Sequence, residues 1–189
     1  GRVPLTELCV PTKEFVQRRK NNDTVVQYLE VGDTDKETGA ILSTTPFPVS
    51  ELPSRAKYVV RENMLLIPNH RNSIKAKRSV VLVTSEYDGL IVTSRFIAVR
   101  TLVPAEYLYQ VLNLDFVKEK MLTLVSGSSS TEVKFDQLAE ILVPMPSEGD
   151  FELFLERLRD MREEVAAARE NLAAKLGVLD SRIRELYAA

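Results

Sequence analysis

The chain has 189 residues, of which 44% are hydrophobic and 28% charged, and its formal net charge is −2. This composition supports one hydrophobic core, and no apolar run approaches the ~18 residues of a membrane-spanning helix. Its single cysteine, Cys9, excludes an internal disulfide framework and a thiolate zinc site, which fits a cytoplasmic protein.

Runs of β-branched and aliphatic residues predict strands. The first is predicted at 24–31, and three prolines then predict an irregular stretch: Pro46, Pro48 and Pro53. Further strands are predicted at 64–68, 79–85, 90–93 and 95–100. Asp88-Gly89 predicts a hairpin between the second and third of these strands.

Helical signals follow the strands. Pro104 is suited to the first position of a helix whose apolar face extends to Leu114. A second helix is predicted at 115–124, a small flexible loop at 126–131 and a helical turn at 134–141. Pro144 and Pro146 then interrupt the chain before a long helix, for which Asp150 is the expected N-cap.

Apolar residues recur at steps of three and four from 151 to 187, with one extra step of four between Leu172 and Leu176. This is the pattern of a coiled-coil seam with a single stutter. A helix of this length extends roughly 55 Å at about 1.5 Å per residue, so it needs another helix to cover its seam. The predicted dimerisation residues are Phe154, Leu158, Met161, Val165, Ala168, Leu172, Leu176, Leu179, Ile183 and Leu186.

These elements predict an α+β fold. A domain with a mixed or antiparallel sheet is expected over residues 1–147, followed by one long coiled-coil helix over 148–189.

Known catalytic motifs are not found in the sequence. The segment 126–131 lacks the lysine and second glycine of a phosphate-binding loop, and 33–44 departs from a calcium loop at its glycine and its last position. His70 is the only histidine and has no obvious orienting acid. Asp115, Glu132 and Lys134 loosely match a metal-dependent nuclease pattern, an enzymatic alternative. The preferred interpretation is a non-catalytic chain without a metal site.

Positive charge is concentrated in one region. Residues 54–100 contain nine Lys or Arg and three acidic residues, which permits a basic face on a nearly neutral chain. Within it, the stretch 69–78 offers Asn and Arg for base edges and Lys, Ser and His for phosphates. The serine-rich loop at 126–131, followed by Lys134, offers further donors. The alternative is that both stretches are ordinary solvated loops.

Three segments resemble the specificity subunits of type I restriction–modification systems. Residues 60–66 (VRENMLL) match a hydrophobic–turn–hydrophobic step into a strand, and residues 89–100 (GLIVTSRFIAVR) match the hairpin that follows. The most specific match is the small-residue loop at 126–128, then a short helix, an aliphatic strand and the Pro-x-Pro at 144–146 before a long helix. Glu62-Asn63 departs from the Gly-Asp usual in the family, and 147–150 departs from its Glu/Gln-rich opening.

The resemblance implies a DNA target-recognition domain over 1–147 and a spacer and dimerisation helix over 148–189. The residues predicted to bind DNA are Asn69, His70, Arg71, Asn72, Ser73, Lys75, Lys77, Arg78, Arg95, Ser128, Ser129, Ser130, Thr131 and Lys134.

It also implies partners. The chain would bind double-stranded DNA, pair with itself or with a second half, and direct DNA adenine methyltransferase subunits, with or without a restriction subunit, to a bipartite site. S-adenosylmethionine, ATP and magnesium are expected only on those partner subunits. Two other interpretations stay open: the C-terminal recognition domain of a single-chain methyltransferase–nuclease, and a coiled-coil scaffold that does not bind DNA.

Overall fold

The computed structural model describes residues 1–18, 23–126 and 131–188. The chain divides into two compact units, Gly1–Met145 and Pro146–Ala189. The strands are β1 (Arg2–Pro4), β2 (Cys9–Pro11), β3 (Val25–Leu29), β4 (Thr45–Pro48), β5 (Ala56–Val59), β6 (Met64–Pro68), β7 (Val81–Leu82), β8 (Ile91–Thr93), β9 (Phe96–Thr101) and β10 (Leu142–Pro144). The α-helices are α1 (Leu5–Leu8), α2 (Arg71–Ile74), α3 (Ala105–Leu112), α4 (Asp115–Ser126) and α5 (Glu148–Ala188). The predicted α+β fold class is confirmed.

The first unit is built around an antiparallel sheet in the order β2-β9-β6-β7. Its centre is the long pairing of β6 with β9, which runs from Met64 opposite Arg100 to Pro68 opposite Phe96. All five β6 residues are buried. Both faces of this central strand are therefore covered, which explains why its sequence is a continuous apolar run and does not alternate with polar residues.

A second sheet has the order β4-β3-β8-β5, with β3 and β8 parallel and the other pairs antiparallel. A separate antiparallel pair joins β1 to β10, with Arg2 opposite Pro144. This pair fastens the beginning of the unit to its end. Among the described residues, no helix is long and apolar enough to cross a membrane.

The proline-rich stretch contains a strand that the sequence did not predict. Pro46 and Pro48 belong to β4, which pairs with β3 on one side and forms the edge of its sheet. An edge strand tolerates proline because one row of its N–H groups has no strand partner. The expectation of an irregular stretch was therefore wrong for 45–48.

The predicted hairpin at Asp88-Gly89 was also wrong. The strands on either side of it, β7 and β8, lie in different sheets. A 3₁₀ turn at Ser85–Tyr87 leads into Gly89, which has a φ of 83° and donates its N–H to the carbonyl of Val60 at 2.8 Å. The glycine thus redirects the chain between sheets instead of folding it back within one.

The second unit is the single helix α5, and it begins before the expected N-cap. The N–H of Asp150 donates to Ser147 Oγ at 3.4 Å, and the N–H of Phe151 donates to the Ser147 carbonyl at 2.9 Å. Ser147 therefore caps the helix, and the prediction of Asp150 in that role was wrong. Asp150 instead places negative charge in the first turn, where the helix dipole favours it.

Asn113 joins the end of α3 to the segment that enters β7. Its Oδ1 accepts hydrogen bonds from the main-chain N–H groups of Ser79 at 3.0 Å and Val80 at 3.2 Å. Its Nδ2 donates to the carbonyls of Val80 at 3.3 Å and Tyr109 at 3.0 Å. Because Asn113 is buried, water cannot replace these bonds easily.

We expect Asn113→Ala to lower the free energy of unfolding by about 3 kcal/mol, because two buried N–H groups lose their acceptor. Urea unfolding followed by circular dichroism measures the change. The control is Asn72→Ala, which alters an exposed asparagine and should stay within about 0.5 kcal/mol of the parent. Equal free energies of unfolding for the two variants would contradict a stabilising role for the Asn113 hydrogen bonds.

Cys9 is fully buried, and its Sγ donates to the Leu5 carbonyl at 3.3 Å. Desolvation disfavours the thiolate and raises the pKa of Cys9 from 9.0 to about 12. We expect the folded chain to react with a disulfide reagent at pH 8 only as fast as it unfolds, whereas the chain in urea reacts at once. Rapid labelling of the native protein would contradict this burial.

The free energy of unfolding should also fall as pH rises from about 9 toward 12, because only the unfolded thiol ionises there.

Candidate nucleic-acid interface

The predicted polar stretch 69–78 is not one solvated loop. Asn69 and His70 continue from the end of β6, and the next four residues form the helical turn α2. Ile74 anchors this turn because its side chain is fully buried. Arg71 and Asn72 are exposed on it, and Lys75 is exposed directly after it. The Arg71 guanidinium donates to Ser126 Oγ at 3.2 Å, which ties α2 to the end of α4.

The two cations after this turn have partners within the unit. Lys77 Nζ lies 3.0 Å from the Glu37 carboxylate. The Arg78 guanidinium donates to Gln110 Oε1 at 3.1 Å and lies 5.8 Å from the centre of the Tyr109 ring. A DNA contact by either residue would compete with these interactions, and that role stays a prediction.

A groove of about 640 Å³ lies on the first unit. Three segments supply its cations: Lys13 after β2, Lys57 on β5 and Lys134 before the 3₁₀ turn Phe135–Glu140. All three lysines are exposed. Among the described lining residues Glu132 is the acidic one, so this local surface is basic although the whole chain is nearly neutral. Such a groove attracts polyanions.

One wall of the groove is aromatic. The rings of Phe15 and Tyr58 lie 5.8 Å apart between centres with an interplanar angle of 36°, and 47% of Phe15 is exposed. Lys57 Nζ is 4.9 Å from the centre of the Tyr58 ring. Main-chain hydrogen bonds from Val16 to the Lys57 carbonyl at 2.9 Å and from Val59 to the Glu14 carbonyl at 3.0 Å hold the two segments together. The wall therefore combines a cation with an apolar surface.

The groove also contains Asn69, which is only 7% exposed. Its main-chain N–H donates to the Arg95 carbonyl at 3.0 Å, and its carbonyl accepts from the N–H of Val133 at 2.8 Å. Its side-chain Nδ2 donates to the Ser94 carbonyl at 3.0 Å. His70 continues this pairing as an antiparallel bridge with Glu132. These bonds place the segment that carries Lys134 beside the end of β6.

The groove brings together two of the residues predicted to contact DNA, Asn69 and Lys134. Arg95 is half-buried, and Thr131, shortly before Lys134 in the sequence, is exposed. Ser73, on α2, is half-buried. Ser128, Ser129 and Ser130 lie outside the described residues.

Sequence reasoning missed the other groove residues, namely Lys13, Phe15, Lys57 and Tyr58. The adjacent lysine and tyrosine of β5 are a signal that could have identified part of the wall, because cations and aromatic rings together are typical of nucleic-acid surfaces. The remaining members come from an irregular segment whose neighbours only folding defines.

The alternative nuclease constellation is not assembled. Asp115 lines a different pocket, with Lys118, whereas Glu132 and Lys134 line the groove. Asp115 lies 2.8 Å from Lys118 Nζ, and this hydrogen bond holds the pKa of the Asp115 carboxyl below its ordinary value. Within the described residues, no group of three His, Cys, Asp or Glu side chains is placed to hold a metal ion.

No protein-family model matches the sequence, and no curated protein matches it. Several solved structures do match the chain. A chain in a structure of the type I R-M system, concerned with complex assembly and conformational transition, has a TM-score of 0.68 and 26% identity over 90% of this chain and 46% of that chain. The HsdS subunit from Thermoanaerobacter tengcongensis gives a TM-score of 0.67 and 26% identity with the same coverage.

The fold and the long C-terminal helix agree with these similarities. The chain has the architecture of a type I restriction–modification specificity subunit, and the resemblance inferred from the sequence motifs is confirmed. It spans 46% of the length of each similar structure.

Proposed function

We propose that this chain is a DNA-recognition unit of a type I specificity subunit and that the groove of the first unit binds double-stranded DNA. One observation carries the proposal. Three exposed lysines, an aromatic pair that includes the exposed Phe15 and a buried asparagine line one groove in a chain with this architecture.

The lysines and the asparagine suit different parts of a duplex. Lys13, Lys57 and Lys134 carry exposed ammonium groups that can neutralise phosphates, which contributes affinity without sequence preference. Asn69 is held by main-chain hydrogen bonds, and a rigid amide suits a base edge. The half-exposed ring of Phe15 provides an apolar contact for a thymine methyl group or sugar. Together these groups can position a duplex and distinguish its base pairs.

The helix α5 acts as the spacer. Its seam residues Leu172, Leu176 and Leu179 are each more than half exposed within the chain, so burial against a second helix would remove apolar area from water. Pairing with another copy, or with a second half, would hold two recognition units at a fixed separation. A two-fold pair would then match a symmetric, interrupted site.

The chemistry of modification and cleavage is assigned to partners. DNA adenine methyltransferase subunits, with or without a restriction subunit, would supply S-adenosylmethionine, ATP and magnesium, and this chain would direct them to the bipartite site. This chain itself would contribute DNA binding and the separation between recognition units, which makes it a non-catalytic component.

We expect Lys57→Ala and Lys134→Ala each to weaken binding to every duplex to a similar extent. Each should also reduce the slope of log affinity against log salt by about one, because one phosphate contact is lost. Fluorescence anisotropy with labelled duplexes at several salt concentrations measures both effects.

Lys120→Ala is the matched control, because Lys120 pairs with Glu140 at 2.8 Å and does not line the groove. It should leave affinity and salt slope unchanged. If the parent chain, alone and with a type I methyltransferase subunit, binds no duplex at low salt, the proposed function fails and the scaffold interpretation is favoured.

We expect the double variant Leu172→Asp/Leu179→Asp to be monomeric while the first unit stays folded, because two charges would enter the apolar seam. Sedimentation velocity measures the mass, and near-UV circular dichroism with the Cys9 reactivity assay follows the first unit. The control is Ala174→Asp/Ser181→Asp, which adds the same charge about 200° around the helix from the seam. A monomeric parent chain would contradict self-pairing.

A further inference from the structure

The side-chain carbonyl of Asn69 has no hydrogen-bond donor among the described residues, although the atom is buried. The other polar atoms of this residue each have a partner: the main-chain N–H donates to Arg95, the main-chain carbonyl accepts from Val133, and one of the two Nδ2 N–H groups donates to Ser94. Two main-chain bonds therefore fix the backbone of Asn69, one side-chain bond orients its amide, and Oδ1 is the polar atom without a partner among the described residues. A buried acceptor without a donor is unfavourable, so binding a donor there recovers free energy.

The buried Oδ1 without a donor decides which kind of group Asn69 would bind there. A free asparagine amide reads adenine with both a donor and an acceptor. Here one of the two Nδ2 N–H groups donates to the Ser94 carbonyl at 3.0 Å, which orients the amide, and Oδ1 is the acceptor without a partner among the described residues. In the major groove, adenine N6 and cytosine N4 present amino donors, whereas guanine O6 and thymine O4 present acceptors.

We propose that Asn69 is a specificity-determining residue whose Oδ1 accepts a hydrogen bond from the exocyclic amino group of an adenine or cytosine in the bound duplex. This inference rests on the proposed DNA-binding function and adds to it the kind of base that is read. Guanine or thymine at the same place puts an acceptor against an acceptor, so both are disfavoured.

The surroundings of Asn69 support this geometry. Oδ1 is covered in the free chain, so the contact requires the groove to open slightly when DNA binds. The lining includes the long, exposed side chains of Lys13 and Lys134, which can turn toward phosphates without moving the main chain. The asparagine itself stays fixed because its main chain is bonded to two neighbouring segments.

The first measurement uses the unaltered chain. Bound duplexes are selected from a random pool, and each adenine or cytosine of the selected site is then replaced by its analogue lacking the exocyclic amino group. We expect one position at which this removal lowers affinity by about 5- to 100-fold, the usual cost of a mismatched pair. If no position shows this loss, the proposal is overturned even if binding is tight.

The second measurement couples the protein to the base. Asn69→Leu keeps a similar volume but has no acceptor. We expect it to lose the preference at that one position and to be indifferent to the amino group there, while preferences elsewhere in the site are kept. Additive losses from the protein and base changes would overturn the proposal and make Asn69 a structural residue satisfied by a buried water.

Lys57→Ala is the matched control in this assay, because it should weaken binding without changing any preference. Thermal unfolding checks that Asn69→Leu is folded, and the first measurement needs no variant. Failure of the parent chain to select any sequence would remove the proposed function, and this inference with it. Selection without a dependence on an amino group would remove the inference alone.

Discussion

The pairing of β6 with β9 supports both the core and the groove. Its residues are almost all buried, and the register carries the chain from Met64 opposite Arg100 to Pro68 opposite Phe96. Beyond Pro68 the same pairing continues through the main-chain bond between Asn69 and Arg95. A shift of this register by one residue would turn every side chain of the strand to the opposite face, so the position of Asn69 in the groove depends on the packing of the core.

The groove is assembled from segments that have little structure of their own. Thr12 donates its main-chain N–H to the Ala98 carbonyl at 2.9 Å, and Val133 donates to the Asn69 carbonyl at 2.8 Å. These bonds hold the segments that carry Lys13 and Lys134 against the central sheet. The sheet thus acts as a rigid support, and the exposed lysines keep the freedom that phosphate contacts need.

Two sequence signals were misinterpreted for the same physical reason. Proline at 46 and 48 argues against a central strand, yet β4 is an edge strand in which the missing N–H groups have no consequence. Asp88-Gly89 is a common hairpin turn, yet here Gly89 bonds to Val60 and leads the chain into another sheet. Local turn chemistry specifies a bend, whereas the pairing of the strands on either side depends on the rest of the core.

The sequence by itself determined the α+β class, the extent of the long helix and its apolar seam, since a 3.6-residue period is a local property of the chain. The motif resemblance further indicated the kind of protein. Only the tertiary structure decided which cations share a surface, because Lys13, Lys57 and Lys134 are far apart in sequence. It also decided that Lys77 and Arg78 have partners within the unit while the side-chain carbonyl of Asn69 lacks a donor among the described residues. Burial and charge pairing depend on long-range contacts, which no local pattern of residues encodes.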